Sequence, residues 1–305
     1  MNKKKIFIDT DPGHDDAIML LIACYAKEFD ILGVSSCSGN QTIEKTTNNL
    51  NNIMHFCHRE DVPIAIGHPT PIKRKTRICA EIHGESGLDG YTFDKYDTHY
   101  ESLEACDFII KTLLENDHVT VFTLGPMTNL GLAISKNKEI LSHIDEIVLM
   151  GGSTGEGNIT KEAEFNILVD PEAADICFKS GVKIRMLGLN VTRDILVTDE
   201  IVEKARKIKT RNADLFVKLM EVFNKNQREY FSLPAGPLHD PATIISILNP
   251  KAFVFEDMNV KVDTSFSELE GKTYCTKEKP YNAKVAIDVN IKEYWKTVFK
   301  YLKYE

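Results

Sequence analysis

A chain of 305 residues with 43% hydrophobic content can bury a large core and leaves room for one or two domains. Its formal net charge of −8 offers no basic stripe for a phosphate backbone, which argues against nucleic acid and for a small neutral ligand. Seven cysteines without a C-x-x-C pair, no signal peptide after MNKKK and no apolar run beyond residues 17–26 point to a soluble cytoplasmic chain with no membrane partner.

From the amino terminus, compact runs rich in Ile, Val, Leu or Phe alternate with segments of helical period, the pattern of an α/β fold with a mainly parallel sheet flanked by helices. Strands are predicted at Lys5–Ile8, Ile31–Ser35, Val119–Leu124, Glu146–Met150 and Lys183–Leu187. Helices are predicted at His14–Ala26, Thr42–Cys57, Leu103–Glu115 and Pro171–Lys179, the last with proline in its first turn and Asp170 as N-cap. Between them, Gly67–Thr98 lacks periodicity and carries HGESGLDG, the mark of a long loop over a site. The carboxy-terminal third is less regular: helical segments at Asn212–Phe231 and Pro241–Leu248, β-like runs at Phe253–Val262 and Ala283–Val289, and a closing amphipathic helix at Ile291–Leu302. No linker, repeat or low-complexity tract interrupts the chain, so residues 1–305 are expected to form one domain.

Polar residues gather just after the predicted strands, where open α/β sheets bind ligands. The first cluster, DTDPGHDD at 9–16, places four carboxylates in eight residues. Such a group repels itself unless a cation or hydrogen-bond donors offset the charge, and a hard oxygen-seeking metal, Ca²⁺ or Mg²⁺, is the economical answer. The plainer alternative, acids favouring a helix dipole, accounts for Asp15 and Asp16 but poorly for Asp9 and Asp11. In the second cluster, Ser38-Gly39-Asn40 again follows a strand, and Asn40 could equally be a helix N-cap before Gln41. In the third, Leu124–Asn129, a Gly-Pro turn leaves backbone carbonyls free for a metal, though an ordinary strand-to-helix turn has the same spacing. The fourth runs from Met150-Gly151-Gly152 to Asn158, Glu164 and Asn166, a set of groups suited to hydroxyls. Far downstream, His239-Asp240 precedes Pro241, a common form of capped helix start.

Taken together, DTDPGHDDAI, SGNQT, IHGESG, LGPMTN, VLMGG, AEFNILVDPEAA and HDP occur in the order of the inosine-uridine-preferring nucleoside hydrolases, and the chain resembles that family, closest to its pyrimidine-preferring ribonucleoside branch, over nearly its whole length. The resemblance implies one α/β domain and assembly into homodimers or homotetramers. It implies Ca²⁺ held by Asp11, Asp16, the main-chain carbonyl of Leu124 and Asp240, and ribose contacts from Asp15, Asn40, Met150, Asn158, Glu164 and Asn166. His83 and His239 fall near the base, and Asp9 supports the loop from behind. Where many relatives have threonine this chain has Leu124, which a carbonyl ligand tolerates.

The implied reaction is hydrolysis of the ribosyl C–N bond of a ribonucleoside, uridine or cytidine before inosine, by a Ca²⁺-bound water activated by Asp11. Glu164 and Asn166 would orient the 5′ end, and His239 would protonate the leaving base with His83 closing over it. Gln227 and Phe231, four residues apart on one helical face, should line the base pocket. Phe231 stands where pyrimidine-preferring relatives often carry tyrosine. Two rivals remain open at this level. A haloacid-dehalogenase-type phosphatase also ends a strand in D-x-D, but no Ser/Thr and Lys are placed for a phosphate; a non-catalytic ribose or nucleoside sensor would not need both Asp11 and His239.

Overall fold

The computed structural model describes residues 3–94 and 100–305, so the last part of the loop expected at Gly67–Thr98 lies outside the described residues. Nine strands form one sheet: β1 (Lys4–Thr10), β2 (Phe29–Ser36), β3 (Ile64–Ala65), β4 (Val119–Thr123), β5 (Ile144–Met150), β6 (Ile184–Leu187), β7 (Phe253–Val262), β8 (Thr273–Thr276) and β9 (Ala283–Val289), in the order β3-β2-β1-β4-β5-β6-β9-β7-β8. The seven from β3 to β9 pair in parallel, and β7 and β8 add an antiparallel edge. The α/β reading is therefore correct, and every predicted strand and helix is present within a few residues of its expected bounds.

The central strands are apolar throughout because helices cover both faces. Ile6 and Ile8 on β1 face one core with the helix His14–Tyr25, buried through Ala23, while Phe7 faces a second with β4 and the helix Thr128–Lys136. The two-residue period of the strand thus splits β1 between two cores.

Chain order reverses between β1 and β4: β1 leads outward to β2 and β3, and β4 leads the other way to β5 and β6. This is the switch point, where loops from adjacent strands diverge and open a crevice at the carboxyl ends. Register places Asp9 opposite Thr123, so Thr10-Asp11 and Leu124-Gly125 emerge side by side at that crevice. Asp9 and Thr10 belong to the strand itself, which runs two residues beyond the predicted end.

Short elements escaped the periodicity reading. The helices Ala80–His83, Phe165–Val169 and Leu189–Thr192 span about one turn each, too few residues to show a period, and β3 has two. Asp170 caps Pro171–Phe178 as expected, its Oδ1 accepting from Ala173 N at 3.1 Å. Among the described residues, no helix is long and apolar enough to cross a membrane.

Candidate active site

The crevice floor is built by the turn from β1 into the helix His14–Tyr25. That helix starts at Gly13, which has no capping side chain; Asp16, in the first turn, reaches back to accept from Gly13 N at 3.0 Å. Asp16 also accepts from Thr10 Oγ1 at 2.5 Å and Asn40 Nδ2 at 3.0 Å. The helix-cap explanation of Asp16 thus holds, yet it leaves Asp11 and Asp15 unexplained. Asn40 is no N-cap, since the following helix begins at Ile43 with Thr42 as its cap residue. Instead Asn40 donates its backbone N–H to Asp11 Oδ2 at 2.7 Å and its amide to Asp11 O at 3.1 Å.

Asp11 is wholly buried, and space for its carboxylate exists only because two neighbours are glycine. A Cβ on Gly39 would stand 2.1 Å from Asp11 Oδ2, and one on Gly125 2.2 Å from Oδ1. Oδ1 itself has no hydrogen-bond partner. Asp15, Asp16 and Asp240 converge so that one carboxylate oxygen from each lies within 4.8 Å of the others. Asp240 sits at the N-cap position of the helix Pro241–Leu248 but makes no side-chain cap bond, which leaves it for the cluster. Burial raises all four carboxyls, Asp15 to about 7 and Asp11 and Asp240 well above the usual carboxylate range, and mutual repulsion adds to the shift on Asp11, Asp15 and Asp240.

This donor set fits a hard divalent cation. Four buried carboxylates raised by burial and repulsion, with one oxygen lacking any hydrogen, make an all-oxygen site of the kind Ca²⁺ prefers. The tightest group is Asp15, Asp16 and Asp240, and Asp11 beside it is coupled to all three through its charge. A helix places consecutive Asp15 and Asp16 on diverging faces, and here Asp240, arriving from a distant segment, bridges that divergence.

Above the floor opens a cavity of about 930 Å³ out to its mouth. Its polar wall carries Asn158, Glu164 and Asn166. Glu164 caps the helix Phe165–Val169, accepting from Asn166 N, Ile167 N and Gly152 N, and burial raises its carboxyl to about 7. Asn166 donates to the carbonyls of Leu124 at 2.7 Å and Met150 at 3.1 Å, tying β4 and β5 together at the crevice. Asn158 accepts from Phe165 N at 3.0 Å.

The opposite wall is largely aromatic, with His83, Phe223, Phe231 and His239 beside the carboxamide of Gln227. His83 stacks on His14 and Phe223, at 5.4 and 5.8 Å between ring centroids, and its Nδ1 meets His14 N and Nδ1 at 3.2 Å. His239 is held through Nδ1 by Thr192 Oγ1 at 2.7 Å. In both rings Nε2 remains for a ligand. Burial lowers His83 well below its ordinary value and His239 to about 3, so both are neutral near pH 7 and offer hydrogen bonds rather than standing positive charge. The HGESG stretch is not a loose flap: Gln41 donates to the carbonyls of Gly84 and Glu85, and Asn49 to that of Ser86.

Of the expected site residues, Asp15, Asn40, His83, Leu124, Met150, Asn158, Glu164, Asn166, Gln227, Phe231, His239 and Asp240 line the one cavity, with Asp11 and Asp16 beneath it. Sequence reading missed Phe223 and Arg193, which also line it. Phe223 was discoverable, being one helical turn before Gln227 on the same stripe; Arg193 carries no such signal.

Comparison with known proteins agrees with this geometry. Residues 6–296 match the model of the inosine-uridine preferring nucleoside hydrolase family. The chain is 39% identical over 302 residues to the pyrimidine-specific ribonucleoside hydrolase RihB of Shigella flexneri serotype 5b, covering 97% of this chain and 96% of that one, and likewise to RihB of Escherichia coli O9:H4. Among solved structures it is similar to a plant nucleoside hydrolase, with TM-score 0.93, 28% identity and full coverage of both chains. It is also similar to a purine-preferring ribonucleoside hydrolase from Gardnerella vaginalis, with TM-score 0.90, 27% identity, and 98% and 99% of the two chains covered. An acidic floor, a polar wall and a largely aromatic wall at the switch point of this sheet, with a family match across nearly the whole chain, place the protein in the inosine-uridine preferring nucleoside hydrolase family of enzymes.

Proposed function

We propose that the protein hydrolyses pyrimidine ribonucleosides, uridine and cytidine before inosine, to ribose and free base with the help of Ca²⁺. The observation that carries this reading is one cavity with three chemically distinct sides, matching the three parts of a ribonucleoside. The vicinal diol belongs at the acidic floor, and the flat base belongs between His83, Phe223, Gln227 and His239. That leaves the 5′-hydroxymethyl group for Asn158 and Glu164. The pyrimidine preference is supported by the relatives from Shigella flexneri and Escherichia coli, which are pyrimidine-specific ribonucleoside hydrolases.

Asp11, Asp16, Asp240 and the Leu124 carbonyl would hold the ion, with Asp15 sharing the cluster and facing the pocket. Bound Ca²⁺ would offset the carboxylates, fix the diol and lower the pKa of an attacking water. Asp11 is the general base: its Oδ1, buried and without a partner, takes the proton as water oxygen bonds to C1′. The C1′–N electrons leave with the base, which accepts a hydrogen bond from a neutral imidazole at the His83 and His239 end and takes its proton from solvent water, while Asp11 later returns its proton to solvent. Positive charge building on the ribose is stabilised by the carboxylates below it. Asn166, held by two main-chain carbonyls, keeps the sugar wall rigid.

The deciding experiment incubates the protein and Ca²⁺ with uridine, cytidine, inosine and 2′-deoxyuridine and measures free ribose and kcat/KM. Uridine and cytidine should exceed inosine, and 2′-deoxyuridine should be poorest. Binding without release of ribose would favour the sensor, and inosine at least equal to uridine would remove the pyrimidine preference while leaving the ribohydrolase.

A further inference from the structure

Asn158 sits on the exposed stretch 154–161, which leaves the sheet after β5 and returns at Ala163. Its own bonds are sparse: Gly157 N donates to Lys161 O at 2.8 Å and Asn158 N to Ala163 O at 3.2 Å. Glycine is required at 157, because a Cβ there would stand 2.1 Å from Ala163 O. Asn158 Oδ1 also accepts from Phe165 N at 3.0 Å, which ties its side-chain oxygen to the polar wall but leaves the main chain before it unheld. Arg193 holds that main chain from a different element. One guanidinium nitrogen donates to Glu156 O at 3.1 Å and the other to Gly157 O, the two carbonyls just before Asn158.

Arg193 follows the one-turn helix Leu189–Thr192, and its N–H donates to Leu189 O. In that turn Thr192 holds His239, and Asn190 is fastened to the sheet by donating to Ala286 O at 2.7 Å while accepting from Thr154 N at 3.4 Å. Residues 188–193 therefore reach both the base wall and the hydroxymethyl wall. We propose that Arg193 is a positioning residue for the 5′ end of the substrate, its planar fork setting Asn158 while the turn before it sets His239. A fork suits this task, since two parallel N–H bonds define an orientation that a point charge does not. The inference rests on the nucleosidase reading above and names a determinant of that same site.

The test compares Arg193→Met and Arg193→Lys with the parent enzyme on uridine and 5′-deoxyuridine, following base release with Ca²⁺ present, and uses thermal melting to confirm that each variant is folded. Arg193→Met should raise KM for uridine about tenfold, the scale of a misplaced contact, while KM for 5′-deoxyuridine moves less than about twofold. Arg193→Lys should lie between, because an ammonium reaches one carbonyl and not both. Equal losses on both substrates, or unchanged KM for uridine in Arg193→Met, would overturn the proposal. A parent enzyme that cleaves neither substrate would overturn the nucleosidase reading and this inference with it, a result distinct from a parent that cleaves uridine and variants that keep its KM.

Discussion

The two ends of the cavity are built by opposite means. At the acidic end, Asp11, Asp15 and Asp16 come from one eight-residue stretch, each is at most 5% exposed, and the backbone around them is locked by β1 and the helix it feeds. At the base end, His83, Phe223, Gln227 and His239 come from three distant segments, and Phe231, on the final turn of the helix Arg211–Phe231, is 36% exposed. Charge chemistry tolerates little displacement, because burial and repulsion penalise each unpaired carboxylate. Base recognition depends on stacking and shape, which adjacent rings can share and which an exposed helix end can vary. The difference teaches that, on the proposed function, the reaction belongs to the rigid end and the choice of base to the adaptable one.

Breaking the rigid end should have the largest effect. Asp11→Asn removes the base but keeps the volume between Gly39 and Gly125, and kcat for uridine should fall at least about 10²-fold, with KM changed far less. Elemental analysis should still find Ca²⁺ near one ion per chain. Near-normal kcat in a variant that retains the ion would move the base role to another group.

Next in size is the response of metal-free protein to pH. Burial raises Asp9, Asp15 and Glu164 to about 7, and Asp11 and Asp240 well above 3.8, so the folded state binds more protons than the unfolded state as pH rises past the ordinary carboxylate range. Stability from these groups is therefore full at low pH and lost as pH climbs through their folded pKa values. His14 and His239, lowered to about 4 and about 3, act in the opposite sense only below their ordinary 6.5. Above pH 6.5 the carboxylates act alone, and the midpoint of thermal unfolding should fall by at least about 5 °C between pH 6.5 and 8. Added Ca²⁺ should recover more at pH 8 than at pH 6.5. Equal recovery at both would show that the cluster does not hold the ion.

The smallest effects should come from the adaptable end. Gln227→Ala should lower kcat/KM for uridine about tenfold and for inosine less, while Phe231→Tyr should stay within about threefold of the parent on either substrate. A loss on inosine matching that on uridine would place Gln227 outside base selection.

How legible the molecule was follows the same division. The alternation of apolar strand and amphipathic helix depends on local spacing, and it was visible for most of the longer elements, though not for the helices Thr128–Lys136 and Asp199–Arg206. It was invisible for Ala80–His83 and Leu189–Thr192, although these position His83 and hold His239. The DTDPGHDD block announced a cation site because four carboxylates in eight residues require compensation wherever they fold. What the block could not say is which oxygens meet. Asp240 joins Asp15 and Asp16 from more than two hundred positions away, and the Asp11 carboxylate fits only because Gly39 and Gly125 carry no side chain. By itself, then, the sequence determined the α/β layering, the acidic chemistry and the residues available for it, because these depend on composition and short-range spacing. Only the tertiary structure decided that Arg193 grips the Asn158 loop, that two histidines are kept neutral and that the HGESG segment is pinned, because burial and cross-chain hydrogen bonds exist only once distant segments have packed.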